Sequence, residues 1–259
     1  MAAMGFLVTA DRANGARNPR TAHSNSSDSL RDDKLGSIGS NPADVDHRYC
    51  NASTQEVEAR QLAISVLAQL VRAIEPAGAD ALARFLINEF GSLGQVLGAT
   101  VSKITQCTGN LRLAQALSAA RVAVIEGLRE EICRSRVNLR DPSFLAYLAA
   151  RTRGSEENLH AVFLDSHGRY LTDERVVNGD WTTIPVKLRP LLRRAVEVGA
   201  AKIVLCHNHP SGDPQPSTED ISFTQEASKI SSSLGIELLD HLIVAGKAVF
   251  SMRTAGLVK

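Results

Sequence analysis

The stretch Ile203–Asp220, IVLCHNHPSGDPQPSTED, constrains this chain more than any other. Ile203-Val204-Leu205-Cys206 is a short, wholly apolar run, the pattern of a strand buried on both faces. It ends in His207-Asn208-His209. In extended chain, residues two apart point the same way, so the two imidazoles face one point. Pro210, Gly212, Pro214 and Pro216 then turn the chain. Ser217-Thr218-Glu219-Asp220 has capping-box spacing, with Ser217 as N-cap and Asp220 at N3, and opens a helix. Two imidazoles and one carboxylate form a three-ligand set suited to catalytic zinc, which keeps a fourth position for water. Zinc lowers the pKa of such a water to ~7. A carboxylate outside the metal shell must still move the proton. A surface His-x-His and an ordinary helix cap are the competing readings of the same residues.

Elsewhere the chain changes character twice. Residues 1–55 are rich in Ser, Asn, Asp, Arg and Gly, poor in large apolar side chains, and expected as a disordered tail. Residues 56–138 read as a small all-helical domain. Gln61–Ile74, Ala79–Phe90 and Leu111–Ile132 carry helical apolar spacing, punctuated by Gly91-Ser92 and Thr108-Gly109-Asn110. From 143 to 259 strand-length apolar runs alternate with helices. Leu159–Leu164 is one strand. His241–Ala245 and Ala248–Met252 flank Gly246-Lys247 as a hairpin. Phe144–Ala150, Leu188–Val198 and Asp220–Leu234 read as helices. The fold class is therefore α/β, a layered sheet domain behind a helical one.

Composition narrows the function classes. Apolar residues make up 44% of the chain and charged residues 22%, enough for a globular core. A net charge of +1 offers no general attraction to nucleic acid or anionic membrane. Cys50, Cys107, Cys133 and Cys206 are dispersed and form no CxxC pair, which argues against a disulfide scaffold and a thiolate zinc site. No apolar stretch approaches the ~20 residues that span a bilayer, and no basic segment precedes the mildly apolar start. A cytoplasmic protein is expected.

Two histidines one residue apart, then seven residues, a serine, two residues and an aspartate resemble the JAMM motif of JAB/MPN metallopeptidases. The fuller string HNHPSGDPQPSTED, together with LLDHLIVAG (Leu238–Gly246) and VFLDSHGRYL (Val162–Leu171), resembles the RadC family. The resemblance covers roughly residues 143–259. It implies a JAB/MPN-like mixed sheet with flanking helices, a Zn2+ ion held by His207, His209 and Asp220, and cleavage of a peptide or isopeptide bond. It also implies a general base at Glu174, in the stretch Leu171–Gly179, with Asp173 as the competing acid. Ser217 matches the motif serine that helps to stabilise an oxyanion. The sequence departs from the family after Gly179, where Asp180 stands in place of Thr. It departs again at Val186–Pro190, where Arg189 keeps the arginine but not its neighbours.

The family resemblance further implies a helix-hairpin-helix-like module over 56–138, with Phe90-Gly91-Ser92-Leu93 as one matching string. In such modules hairpin glycines offer backbone N–H groups to DNA phosphate. Here Cys107 stands at the first glycine, leaving Arg112 and Arg121 as phosphate contacts; packing or dimerisation is the alternative. Two functions follow: a zinc-dependent amide hydrolase, or a non-catalytic DNA-associated or scaffolding protein. The family's DNA-repair label is a naming association. Cys206, one residue before His207, is expected in the core. Asp240-His241 is either a structural pair or a support for the metal ligands.

Overall fold

The fold was obtained as a computed structural model, which describes residues 7–9, 43–176 and 184–258. Among them the strands form one six-stranded mixed sheet. In chain order the elements are β1 (Leu7–Thr9), α1 (Ala43–Arg72), α2 (Ala79–Phe90), α3 (Leu93–Gly98), α4 (Val101–Thr108), α5 (Leu111–Ile132), α6 (Pro142–Thr152), β2 (Leu159–Leu164), β3 (Tyr170–Arg175), α7 (Ile184–Glu197), β4 (Lys202–Asn208), α8 (Thr218–Ser233), β5 (Glu237–Ala245) and β6 (Ala248–Ser251). The strand order is β1-β6-β5-β4-β2-β3.

Local chemistry sets most boundaries. Ser92, Thr100 and Asn110 cap α3, α4 and α5 by accepting a backbone N–H three residues on. Asp141 caps α6, with Pro142 in its first turn. Gly246 takes φ 60° in the two-residue turn between β5 and β6, a conformation that costs glycine little.

The period of two along the strands divides the core. Leu159, Ala161, Phe163, Ile203, Leu205, Ile243 and Phe250 face α7 and α8. Val162, Leu164, Val204, Cys206, Leu242, Val244 and Val249 face α6 and the end of α5. Cys206 is thus fully buried in the core. A third core joins α1 to α4 with the first half of α5. Helix α5 serves two cores, through Leu113, Ala114 and Leu117 at one end and Ile125 and Ile132 at the other.

Two expectations are corrected. The tail placed over 1–55 falls mostly outside the described residues, but Leu7–Thr9 pairs in parallel with Ala248–Phe250 at the sheet edge. The mildly apolar start carries no alternation or turn signal that marks a strand, whereas an open sheet edge offers Leu7–Thr9 a row of partners. Helix α1 begins at Ala43 rather than near residue 56. No glycine or proline occurs between Ala43 and Glu75, so nothing interrupts helix propagation.

Arg121, expected at phosphate, is committed elsewhere. Its guanidinium donates to the carbonyls of Gly98 (3.2 Å), Ala150 (3.2 Å), Arg151 (3.4 Å) and Arg153 (2.9 Å), tying the ends of α3 and α6 together. Arg153 lies across α3 beside Gly94, where an added Cβ would come within 1.3 Å of its Nη1. In the α4–α5 turn, Gly109 N–H donates to Thr105 O (2.8 Å) and Asn110 N–H to the Thr108 hydroxyl (3.2 Å). Those two N–H groups are used inside the turn.

Candidate metal centre

Strand β4 delivers the first candidate ligand. His207 stands opposite Leu159 on one side and Ile243 on the other, fully buried. The extended chain persists past the strand, because His209 N–H donates to Val244 O at 2.9 Å. His209 therefore lies on the face of His207. Asn208 points the other way. Its Oδ1 accepts the Asn158 N–H (2.8 Å) and its Nδ2 donates to Glu156 O (3.0 Å), pinning the entrance to β2.

The loop that follows folds back on His209. Gly212, at φ 86°, makes the turn and donates its N–H to His209 O at 3.1 Å. His209 Nδ1 lies 2.8 Å from Asp213 O. Gln215 N–H donates to Asp213 Oδ1 at 3.0 Å, an Asx-type turn that steers the chain into α8. There the capping box forms in full. Ser217 Oγ accepts the Asp220 N–H (3.1 Å), and Asp220 Oδ2 accepts the Ser217 N–H (2.9 Å). The Ser217 hydroxyl also donates to Asp220 Oδ2 at 2.7 Å. The cap and the candidate metal ligand are one device, since the bonds that start the helix also hold the carboxylate.

His207, His209 and Asp220 each offer a ligand atom, all within 4.8 Å of one another. His207 Nε2 is 2.9 Å from His209 Nε2 and 3.3 Å from Asp220 Oδ1, and His209 Nε2 is 3.5 Å from Asp220 Oδ2. Ligands around tetrahedral zinc at 2.0–2.2 Å stand roughly 3.3 Å apart, so the set fits such an ion. Its chemistry fits too. A carbonyl oxygen carries no proton, so His209 Nδ1 donates to Asp213 O and a neutral ring turns the bare lone pair of Nε2 inward. Lone pairs and a carboxylate crowded together call for a cation.

Burial works to raise the Asp220 pKa, but its hydrogen-bond donors, Ser217 among them, hold it well below the usual carboxylate range. Behind the site lies His241, also buried. Burial pushes its pKa far down, so the ring is neutral. Its Nε2 is 2.8 Å from His207 Nδ1, and its Nδ1 is 2.6 Å from Thr224 Oγ1. The neighbouring Asp240 does not partner this ring. Its carboxylate accepts from Ser251 Oγ (2.5 Å), the His241 N–H (2.7 Å) and the Arg253 N–H (2.9 Å), holding the turn after β6. Thr224 was not legible as a site residue by type, although its place four residues after Asp220 puts both on one helix face.

Strand β3 separates the two acids that competed for the base. Glu174 stands opposite Ala161, which stands opposite Leu205. It thus shares the α7–α8 face with His207, two strands (roughly 10 Å) across and two residues (roughly 7 Å) along. Its half-exposed carboxylate is ion-paired with Arg194 of α7 and lies outside the metal-capable group. Glu174 lies inside β3, the second strand of the β2–β3 hairpin. Gly179 and Asp180 lie outside the described residues, and Arg189 is exposed on α7.

Asp173 points to the opposite face. It accepts from the hydroxyls of Tyr147 and Tyr170 and from Arg151 Nε (2.6 Å), with His160 Nδ1 at 3.8 Å. Burial alone would raise its pKa, yet these donors hold it well below the usual range. Burial and the same bonds raise the pKa of Tyr147.

Residues 140–257 match the family model of the RadC-like JAB domain. The chain is 33% identical over 196 residues to a UPF0758 protein of Rhodobacter capsulatus, covering 73% of this chain and 89% of the relative. A UPF0758 protein of Neisseria gonorrhoeae is 31% identical over 179 residues, 68% of this chain and 80% of the relative. One from Aquifex aeolicus is 38% identical over 126 residues, 48% of this chain and 54% of the relative.

Proposed function

The chain belongs to the RadC family, and on that premise we propose that it is a cytoplasmic zinc-dependent metallohydrolase of JAMM type that cleaves a peptide or isopeptide bond. The observation that carries this reading is the convergence of His207, His209 and Asp220 on one point. Two imidazoles and a carboxylate favour zinc over magnesium or calcium. A bound divalent ion would polarise the scissile carbonyl and acidify a water.

The chain's own residues supply the rest. His207 and His209 would each present one ring nitrogen. Asp220 adds one negative charge and is kept ionised by its donors. Glu174 takes the proton of the attacking water at a carboxylate oxygen and returns it to the leaving amine. To reach that water it must exchange its pairing with Arg194. Ser217 donates toward the developing oxyanion by turning its hydroxyl from Asp220 Oδ2.

The pairing of Glu174 with Arg194 also favours a second reading, a non-catalytic scaffolding or DNA-associated protein that retains the metal-binding fold. One experiment separates the two. Purified protein should carry about one zinc per chain by elemental analysis, and His209→Ala should lose it. Glu174→Gln should keep the zinc and lose hydrolysis across a peptide and isopeptide panel. Folded wild type without zinc defeats both metal readings. Zinc-loaded wild type that cleaves nothing in the panel favours the scaffold.

A further inference from the structure

His207 is the most deeply buried ligand, and its inward nitrogen is useful only if the proton of a neutral ring sits on the other one. The structure contains a chain of bonds that decides this. Thr224 Oγ1 is 2.6 Å from the carbonyl oxygen of Asp220, one turn back along α8. The carbonyl has no proton to give, so the hydroxyl donates its single proton there. Met252 Sδ, at 3.4 Å, is the more distant and weaker acceptor. With that proton used, Thr224 Oγ1 can only accept from His241 Nδ1 at 2.6 Å. His241 is 1% exposed, and in a ring that carries a single proton, a proton on Nδ1 leaves Nε2 bare. His207 Nδ1, 2.8 Å away, must then donate to it. The inward Nε2 of His207 is left as a lone pair facing His209 and Asp220.

We propose that Thr224 and His241 are positioning residues, a relay that fixes the tautomer and ring plane of His207 so that Nε2 stays open to a divalent cation. The relay rests on the metal-binding reading given above and deepens it. Its far end is the Asp220 carbonyl, so the start of α8 supplies a carboxylate to the cluster and an anchor to the ring opposite. Phe223 packs edge-on against His241, with ring centroids 6.4 Å apart, and limits its rotation. His209 needs no such relay because the Asp213 carbonyl orders it directly.

The test uses the full chain with 15N-labelled histidine. In metal-free wild type, the His207 ring should show one tautomer, protonated at Nδ1. Thr224→Val keeps the shape and removes the hydroxyl. It should give His207 mixed tautomers and weaken zinc binding about 10–100-fold in chelator competition. Thr224→Ser should restore the single tautomer and most of the affinity. His241→Phe, which removes the acceptor itself, should behave like Thr224→Val and serves if that variant does not fold. A Thr224→Val protein with one Nδ1-protonated His207 and wild-type zinc affinity would overturn the relay. So would Thr224→Ser as weak as Thr224→Val. Wild type that binds no zinc sinks the proposed function, and the tautomer readout on metal-free protein still decides the relay.

Discussion

Two buried polar clusters sit on opposite faces of the same sheet, and they are built on opposite logic. Around Asp173, donors outnumber acceptors: two tyrosine hydroxyls and an arginine converge on one carboxylate, with a histidine beside it. Around Asp220, acceptors converge: the inward nitrogens of His207 and His209 meet a carboxylate whose own donors lie behind it. The first cluster answers its carboxylate with donors of its own. The second has its charge arranged for something the chain does not supply. A buried carboxylate therefore says little about function until its donors are counted.

The largest effect that could break this contrast lies on the Asp173 side. Asp173→Asn should destabilise the fold by about 3 kcal/mol, because Arg151 loses its partner in a buried site, while zinc affinity at a permissive temperature stays near wild type. The folded-state pKa of Asp173 is depressed, so its stabilisation is present above the unfolded value of about 3.9. It is lost as pH falls from there toward the folded value. The gap between wild type and Asp173→Asn in urea midpoint should accordingly narrow below about pH 4. Equal loss of zinc affinity in Asp173→Asn and Asp220→Asn would erase the distinction between the clusters.

Next in size is the response to metal. Zinc at a hundredfold over its dissociation constant should stabilise wild type by about 2.7 kcal/mol. A thermal melt should show that gain in Asp173→Asn and lose it in Asp220→Asn. The smallest effect sharpens the link between helix cap and ligand. Ser217→Ala should cost about 1 kcal/mol in denaturation, as for other N-caps. It should also loosen Asp220 and weaken zinc measurably by chelator competition. Unchanged zinc affinity would mean that the cap serves the helix alone.

The candidate ligands were legible because their signal is local. A two-residue spacing on a strand places both imidazoles, and a capping box places Asp220 whatever the rest of the fold does. Helices α2 and α5 and strand β2 were legible for the same reason, since their apolar periods run unbroken between caps and turns. Strand β3 was harder. Tyr170–Arg175 is half-exposed and carries Asp173, Glu174 and Arg175, so no apolar alternation marks it. Thr224, Arg194 and the phenol of Tyr147 have partners far away in sequence. A side chain's type alone does not reveal such a partner.

From sequence alone came the α/β class, the strand–loop–helix segment with its three ligand types, and the resemblance to RadC. Each depends on neighbours a few residues apart, where backbone geometry dictates direction. Tertiary structure alone decided that Asp173 and Glu174 serve opposite faces, that Arg121 closes helix ends, that Leu7–Thr9 lies on the sheet edge, and that His241 stands behind His207. These depend on strand order and on which helix covers which face. Contacts between distant segments form only when the whole core closes around them.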